Sequence, residues 1–258
     1  MLPSLFISHG SPALSLGRNK TKSFFTNLAS MFEIPKYILV ISAHWETKKL
    51  QILANENPSL IYDFYNFPKE LYEIDYPIQN SIKKVDEIVK LLEQNDIEVI
   101  KNIDKVGYDH GVWSPLRLIY PNANIPVIQI SLPLSYTPKQ LIALGEILYP
   151  LRRDTLILSS GNMTHNLSLI HWKETNPKPE TYAVAFREWV VERLKNSDTK
   201  SIEDFINLAP NVKENHPTLE HFLPLLVALG ASKNKIGESL NDCYTYGNLS
   251  MDSIIFRG

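Results

Sequence analysis

The chain has 258 residues, 44% apolar and 21% charged, with a formal net charge of −2. That balance permits a sizeable buried core and removes the electrostatic case for nucleic acid as the main partner. No stretch approaches the ~18 uninterrupted apolar residues of a membrane span, and the start Met1-Leu2-Pro3-Ser4 lacks a basic signal region. Cys243 is the only cysteine, so an internal disulfide and a Cys-based zinc cluster are both excluded, and a reduced cytoplasm is the expected setting. Any metal must be held by histidine and carboxylate.

Residues 4–8 form a short apolar run that leads into His9, and a helix with amphipathic spacing is expected over 20–32. Residues 37–42 form a second run, followed by Ala43-His44-Trp45. Residues 55–76 are dense in aromatics and prolines, which suits a packed functional loop better than a linker. Val85, Ile88, Val89, Leu91 and Leu92 give residues 82–94 a helical period, and 97–100 reads as a strand. A strand is expected over 127–131, a helix over 138–148, and a strand over 155–160 that turns through Gly161-Asn162-Met163-Thr164 into His165. A loop over 172–179, a helix over 181–194 and a C-terminal edge strand over 252–256 complete the reading. Pro217 suits the first turn of a helix that Pro224 would then kink.

Strands alternating with helices predict a single α/β domain over 1–258, with a mostly parallel central sheet and helices on both faces. Ligands in such folds bind beyond the carboxyl ends of the strands, and three of these strands end at or near a histidine. His9 and His44 close two consecutive strands. Neighbouring strands run ~4.8 Å apart, so the two imidazoles could share one ion. One of His216, Glu220 and His221 is expected to complete the ligand set, with Glu220 and His221 about 100° apart if the segment is helical. His165 is placed as a fourth ligand or a general base, and His110 as a donor to substrate. His171 reads as a surface residue and Cys243 as a buried inert thiol. Gly-x-Ser-x-Gly, Gly-x-Gly-x-x-Gly and P-loop motifs are absent, which removes the signatures of a nucleophile elbow and of nucleotide cofactors.

Six blocks in order extend this reading. They are Ser8-His9-Gly10-Ser11-Pro12, Ser42-Ala43-His44-Trp45, Tyr62-Asp63-Phe64-Tyr65-Asn66-Phe67-Pro68, Asp109-His110-Gly111-Val112-Trp113, Ser160-Gly161-Asn162-Met163-Thr164-His165-Asn166-Leu167, and the run from His216 to Leu225. Together they resemble the class III extradiol ring-cleaving dioxygenases, in the branch that acts on DOPA. The resemblance implies one non-haem metal ion per chain, held by His9, His44 and His221. It implies Fe(II) for catalysis, with Zn(II) often found on isolation. It also implies His165 as the acid/base, His110 at a catecholic substrate, and dioxygen as co-substrate. The usual class III triad has two histidines and a carboxylate, so Glu220 stays as the alternative to His221. A zinc-dependent hydrolase and a non-enzymatic binding module are the competing readings. Retention of His110 and His165 beside a metal site argues against the second.

Overall fold

The computed structural model describes residues 1–17, 19–172 and 177–258. Its strands are β1 (Ser4–Ser8), β2 (Tyr37–Thr47), β3 (Gln51–Leu53), β4 (Ser59–Leu60), β5 (Ile100–Asn102), β6 (Gly107–Tyr108), β7 (Val127–Pro133), β8 (Thr155–Gly161), β9 (Glu238–Ser239), β10 (Tyr244–Thr245), β11 (Leu249–Ser250) and β12 (Ile254–Phe256). Among the described residues, eight of them form one sheet in the order β5-β3-β7-β2-β8-β1-β12-β9. The central four, β7-β2-β8-β1, are mutually parallel. Antiparallel pairs join β3 to β7 and β12 to β1 at either side.

Side-chain alternation along these strands feeds two cores, one on each face. Phe6, Leu39, Ile41, Ile128 and Ile157 face the helices Ile82–Glu93, Pro138–Leu148, Thr181–Lys195 and Pro224–Gly230. Leu5, Ile7, Ile38, Val40 and Leu158 face the helices Lys20–Leu28 and His110–Ile119. The strands are therefore buried on both sides, which is why they read as continuous apolar runs rather than alternating ones. The helix Pro138–Leu148 opens with a reciprocal capping box between Thr137 and Gln140, and its bounds match the expected ones.

Several expectations need correction. β1 and β2 are consecutive but not neighbours, because β8 lies between them. β2 does not stop at Ser42; it continues to Thr47, with a register shift against β7 between Ile41 and Glu46. The strand expected over 97–100 lies later, at Ile100–Asn102. β12 is not the edge, since β9 pairs with its outer side. Pro224 does not kink a helix but starts one, at a position where its missing N–H and fixed φ fit the helix opening. Residues 217–223 are turns and bends. The helix His110–Ile119 was not anticipated, because Pro115 sits inside it and breaks the usual pattern. Cys243 is half-buried, with Sγ 3.3 Å from Thr21 Oγ1. The loop expected over 172–179 falls partly on residues 173–176, outside the described residues.

Candidate metal centre

The parallel strands β1, β2 and β8 bring their carboxyl ends to one edge of the sheet, and five histidines meet there. His9 follows β1, with its backbone N–H donating to Gly161 O on β8 at 2.9 Å. His44 leaves β2 inside the irregular stretch, where the chain is released from the regular ladder. His221 comes from the turn before the helix Pro224–Gly230. Its carbonyl accepts the Asn162 N–H at 2.9 Å and lies so close over Gly161 that a Cβ there would collide with it. His110 opens the helix His110–Ile119. His165 sits in the loop after β8, pinned by its N–H to Asn215 O at 2.9 Å.

The rings are tightly grouped. Centroids of His9, His44 and His221 are 4.9, 5.0 and 5.4 Å apart. His9 Nε2 and His44 Nε2 lie 3.0 Å from each other. His165 stacks flat on His221, with centroids 3.5 Å apart and planes 10° from parallel. His110 lies 4.1 Å from His44 between centroids. Ligand atoms of His9, His44 and His110 fall within 4.8 Å of one another, and those of His165, Glu220 and His221 form a second such group.

Hydrogen bonds decide which nitrogen of each ring is free. Pro115 has no N–H, so the Gly111 carbonyl lacks its helical donor four residues on and accepts the Ser160 hydroxyl at 2.5 Å instead. Ser160 has one proton and has used it. It can only accept from His9 Nδ1, 2.9 Å away, which leaves the His9 Nε2 lone pair bare. Glu220 Oε1 lies 2.8 Å from His221 Nδ1 and leaves His221 in the same state. His221 Nε2 is buried without a hydrogen-bond partner. A buried lone pair left unmatched costs about 1–3 kcal/mol, a cost that a bound cation removes. The donor set therefore fits a transition metal.

Electrostatics agree. Burial, reinforced by His44, His221, His110 and His165, holds His9 well below its ordinary value. His221 is depressed likewise, by burial and then by His165 and His44. Burial lowers His44 to about 4 with help from His110, against Asp109, Asp63 and Glu220. Burial also takes His165 to about 4, although Glu220 opposes it. These rings are neutral near pH 7, the form that ligates metal.

Asp63 is the residue that the sequence reading did not single out. Its Oδ1 accepts both the backbone N–H and Nδ1 of His110, at 3.0 and 2.8 Å, and its Oδ2 lies 3.5 Å from His44 Nδ1. The signal was present in the aromatic block Tyr62-Asp63-Phe64-Tyr65, but nothing local names its partner. Asp109, the chain neighbour of His110, turns away to Ser42 Oγ and Gln129 Nε2, each at 2.6 Å. With Nδ1 committed to Asp63, His110 has only Nε2 left for a further partner.

The cleft in front of the histidines has a volume of roughly 540 Å³. Phe64, Tyr65 and Phe67 from the aromatic loop wall one side, whereas Tyr62 turns into the protein and donates to Ile74 O at 2.7 Å. Leu167, Ile170, Trp172, Tyr246 and Leu249 form the other side. His216 does not join the cluster. Its Nε2 donates to Met163 O at 2.9 Å, and its ring packs against Phe186 and Phe222. His171 is half-buried, 2.8 Å from Glu180 Oε1.

Comparison with known proteins agrees with this architecture. Residues 3–254 match the family model described as the catalytic LigB subunit of aromatic ring-opening dioxygenase. A 4,5-DOPA dioxygenase extradiol of Beta vulgaris is 35% identical over 98% of this chain and 96% of that protein. Its counterpart in Escherichia coli K12 is 35% identical over 89% and 85% of the two chains. The crystal structure of an uncharacterized protein from Escherichia coli K12 superposes with a TM-score of 0.81 at 28% identity, over 100% of both chains. A match over nearly the whole length and relatives aligned almost end to end decide the family: this chain belongs to the LigB family of extradiol aromatic ring-opening dioxygenases.

Proposed function

We propose that the protein cleaves a catecholic, DOPA-like substrate beside its diol with dioxygen, giving a muconic semialdehyde, and that one metal ion per chain is held by His9, His44 and His221. The observation that carries this reading is the pair of committed Nδ1 atoms on His9 and His221, which turns both Nε2 lone pairs free. The 3.0 Å separation of the His9 and His44 Nε2 atoms suits two nitrogens sharing an ion at ~2.0–2.1 Å each. His221 is preferred to His110 as third ligand because its Nε2 is buried and unpartnered. Glu220 then orients His221 rather than ligating. Fe(II) is the catalytic ion in this reading, with Zn(II) on isolation, since imidazole suits both. When bound, the ion supplies Lewis acidity toward the diol and the one-electron chemistry that dioxygen requires.

The chain's own residues do the rest. His165, neutral beside the ligand set, takes a diol proton at a ring nitrogen and returns it later. His110 meets a substrate oxygen at Nε2, held in place through Asp63. Phe64, Tyr65 and Phe67 flank the ring and exclude water from the cleft. The substrate and dioxygen are the partners, and the cytoplasm is the proposed setting. The test is oxygen uptake by anaerobically Fe(II)-loaded protein against a panel of catechols that includes DOPA. Uptake with a yellow product supports the reading; turnover indifferent to oxygen overturns it in favour of a hydrolase.

A further inference from the structure

We propose that Asp63 is a positioning residue that serves the metal site and the substrate contact together, by fixing the tautomers of His44 and His110 with one carboxylate. The inference rests on the reading above, in which His44 ligates and His110 meets the substrate.

Each oxygen of the carboxylate has its own task. Oδ1 takes the His110 backbone N–H at 3.0 Å and Nδ1 at 2.8 Å; Oδ2 faces His44 Nδ1 at 3.5 Å. The second contact is longer than a formed hydrogen bond and acts as an electrostatic one. A carboxylate only accepts, so it favours a proton on the ring nitrogen that faces it. His110 then presents its Nε2 lone pair to the cleft, and with a cation between the rings His44 presents its own toward His9 Nε2, 3.0 Å away.

The carboxylate is itself held. Phe64, the next residue, packs edge-on to His110 with centroids 5.7 Å apart and lies 6.1 Å from Trp113. Trp113 Nε1 in turn donates to Ile61 O at 3.0 Å, so the loop carrying Asp63 is fastened on both sides to the helix His110–Ile119. The N-cap residue Asp109 makes no side-chain cap bond, and Asp63 supplies an acceptor to that helix start from outside. A purely capping role is therefore the rival explanation. It predicts effects on stability alone.

Asp63→Asn and Asp63→Ala separate the two. The Asn oxygen can keep both His110 donors, while its NH2 replaces Oδ2 opposite His44 and disfavours a proton on His44 Nδ1. Metal affinity is read by Zn(II) competition with a chelator, and tautomers by 15N imidazole shifts of the metal-free protein. Asp63→Asn should weaken Zn(II) binding by roughly 10–100-fold, the usual effect of losing a partner behind a ligand, while KM for a catechol stays near wild type. Asp63→Ala should weaken the metal equally, raise KM, and mix the tautomers of His110. His110→Phe should raise KM and leave Zn(II) affinity unchanged. Should Asp63→Ala lose the fold, the Asn variant alone decides. Wild-type Zn(II) affinity and unshifted 15N signals in the Asp63 variants overturn the proposal and leave a cap. Failure of the underlying reading looks different, because wild-type protein would then take up no stoichiometric metal or would keep it in His44→Ala.

Discussion

Glu220 and His221 are chain neighbours whose side chains meet, with Oε1 2.8 Å from Nδ1. Adjacent residues on a helix would diverge by about 100°, but residues 217–223 form turns, and the turn folds the carboxylate back onto the imidazole. In the proposed reading Glu220 acts through His221. We expect His221→Ala to lose the metal, and Glu220→Gln to keep it with affinity or activity lowered about 10–100-fold. A metal titration showing the reverse would make Glu220 the ligand.

His9→Ala and His44→Ala should each abolish stoichiometric metal binding with the fold intact, because both rings lie at the sheet edge. Circular dichroism checks the fold and elemental analysis the metal; a full complement in either variant refutes the assignment.

Ser160→Ala removes the acceptor of His9 Nδ1 and the donor to Gly111 O in one change. Metal affinity should fall by about 10-fold or more, as when a ligand histidine loses its orienting partner. Ser160→Thr, which retains the hydroxyl, should recover part of it. Equal affinity in the wild type and the Ala variant would show that His9 needs no such partner.

His165→Ala should retain the metal while turnover falls on the order of 10²–10⁴-fold, the loss of a general acid/base. Loss of metal instead would make His165 a ligand.

His216 links stability to pH. Its buried ring is lowered to about 4, by burial first and by His165, against its bond to Met163 O and the charge of Glu220. An unfolded histidine binds a proton near 6.5, so between about 6.5 and 4 the unfolded state holds more protons, and stability falls as pH falls. Protonating this buried ring costs the folded state roughly 3 kcal/mol more than the unfolded one, a penalty that builds up as pH falls across that window. His216→Gln in metal-free protein should flatten the decline of denaturation midpoint with acidification. An unchanged slope would show that other groups carry it.

Local pattern was enough for the strands that lead to His9 and His165, since a run buried on both faces must be apolar throughout and must stop where polar, turn-forming residues begin. The same holds for the helix Pro138–Leu148, whose capping box and period both lie within its own residues. That His9 and His44 converge followed from parallel strands sharing a carboxyl end, although the two strands are not neighbours as expected, and His221 was singled out by the family resemblance alone. The tertiary structure decided what depends on contacts distant in sequence. β8 rather than β1 lies beside β2, so Ser160 comes to stand behind His9. Pro115 frees the carbonyl that takes the Ser160 proton, and Asp63, 47 residues before His110, supplies the carboxylate that Asp109 directs elsewhere. Each of these is a buried polar group finding a partner, and the requirement that such groups be satisfied acts across space, where no local period records it.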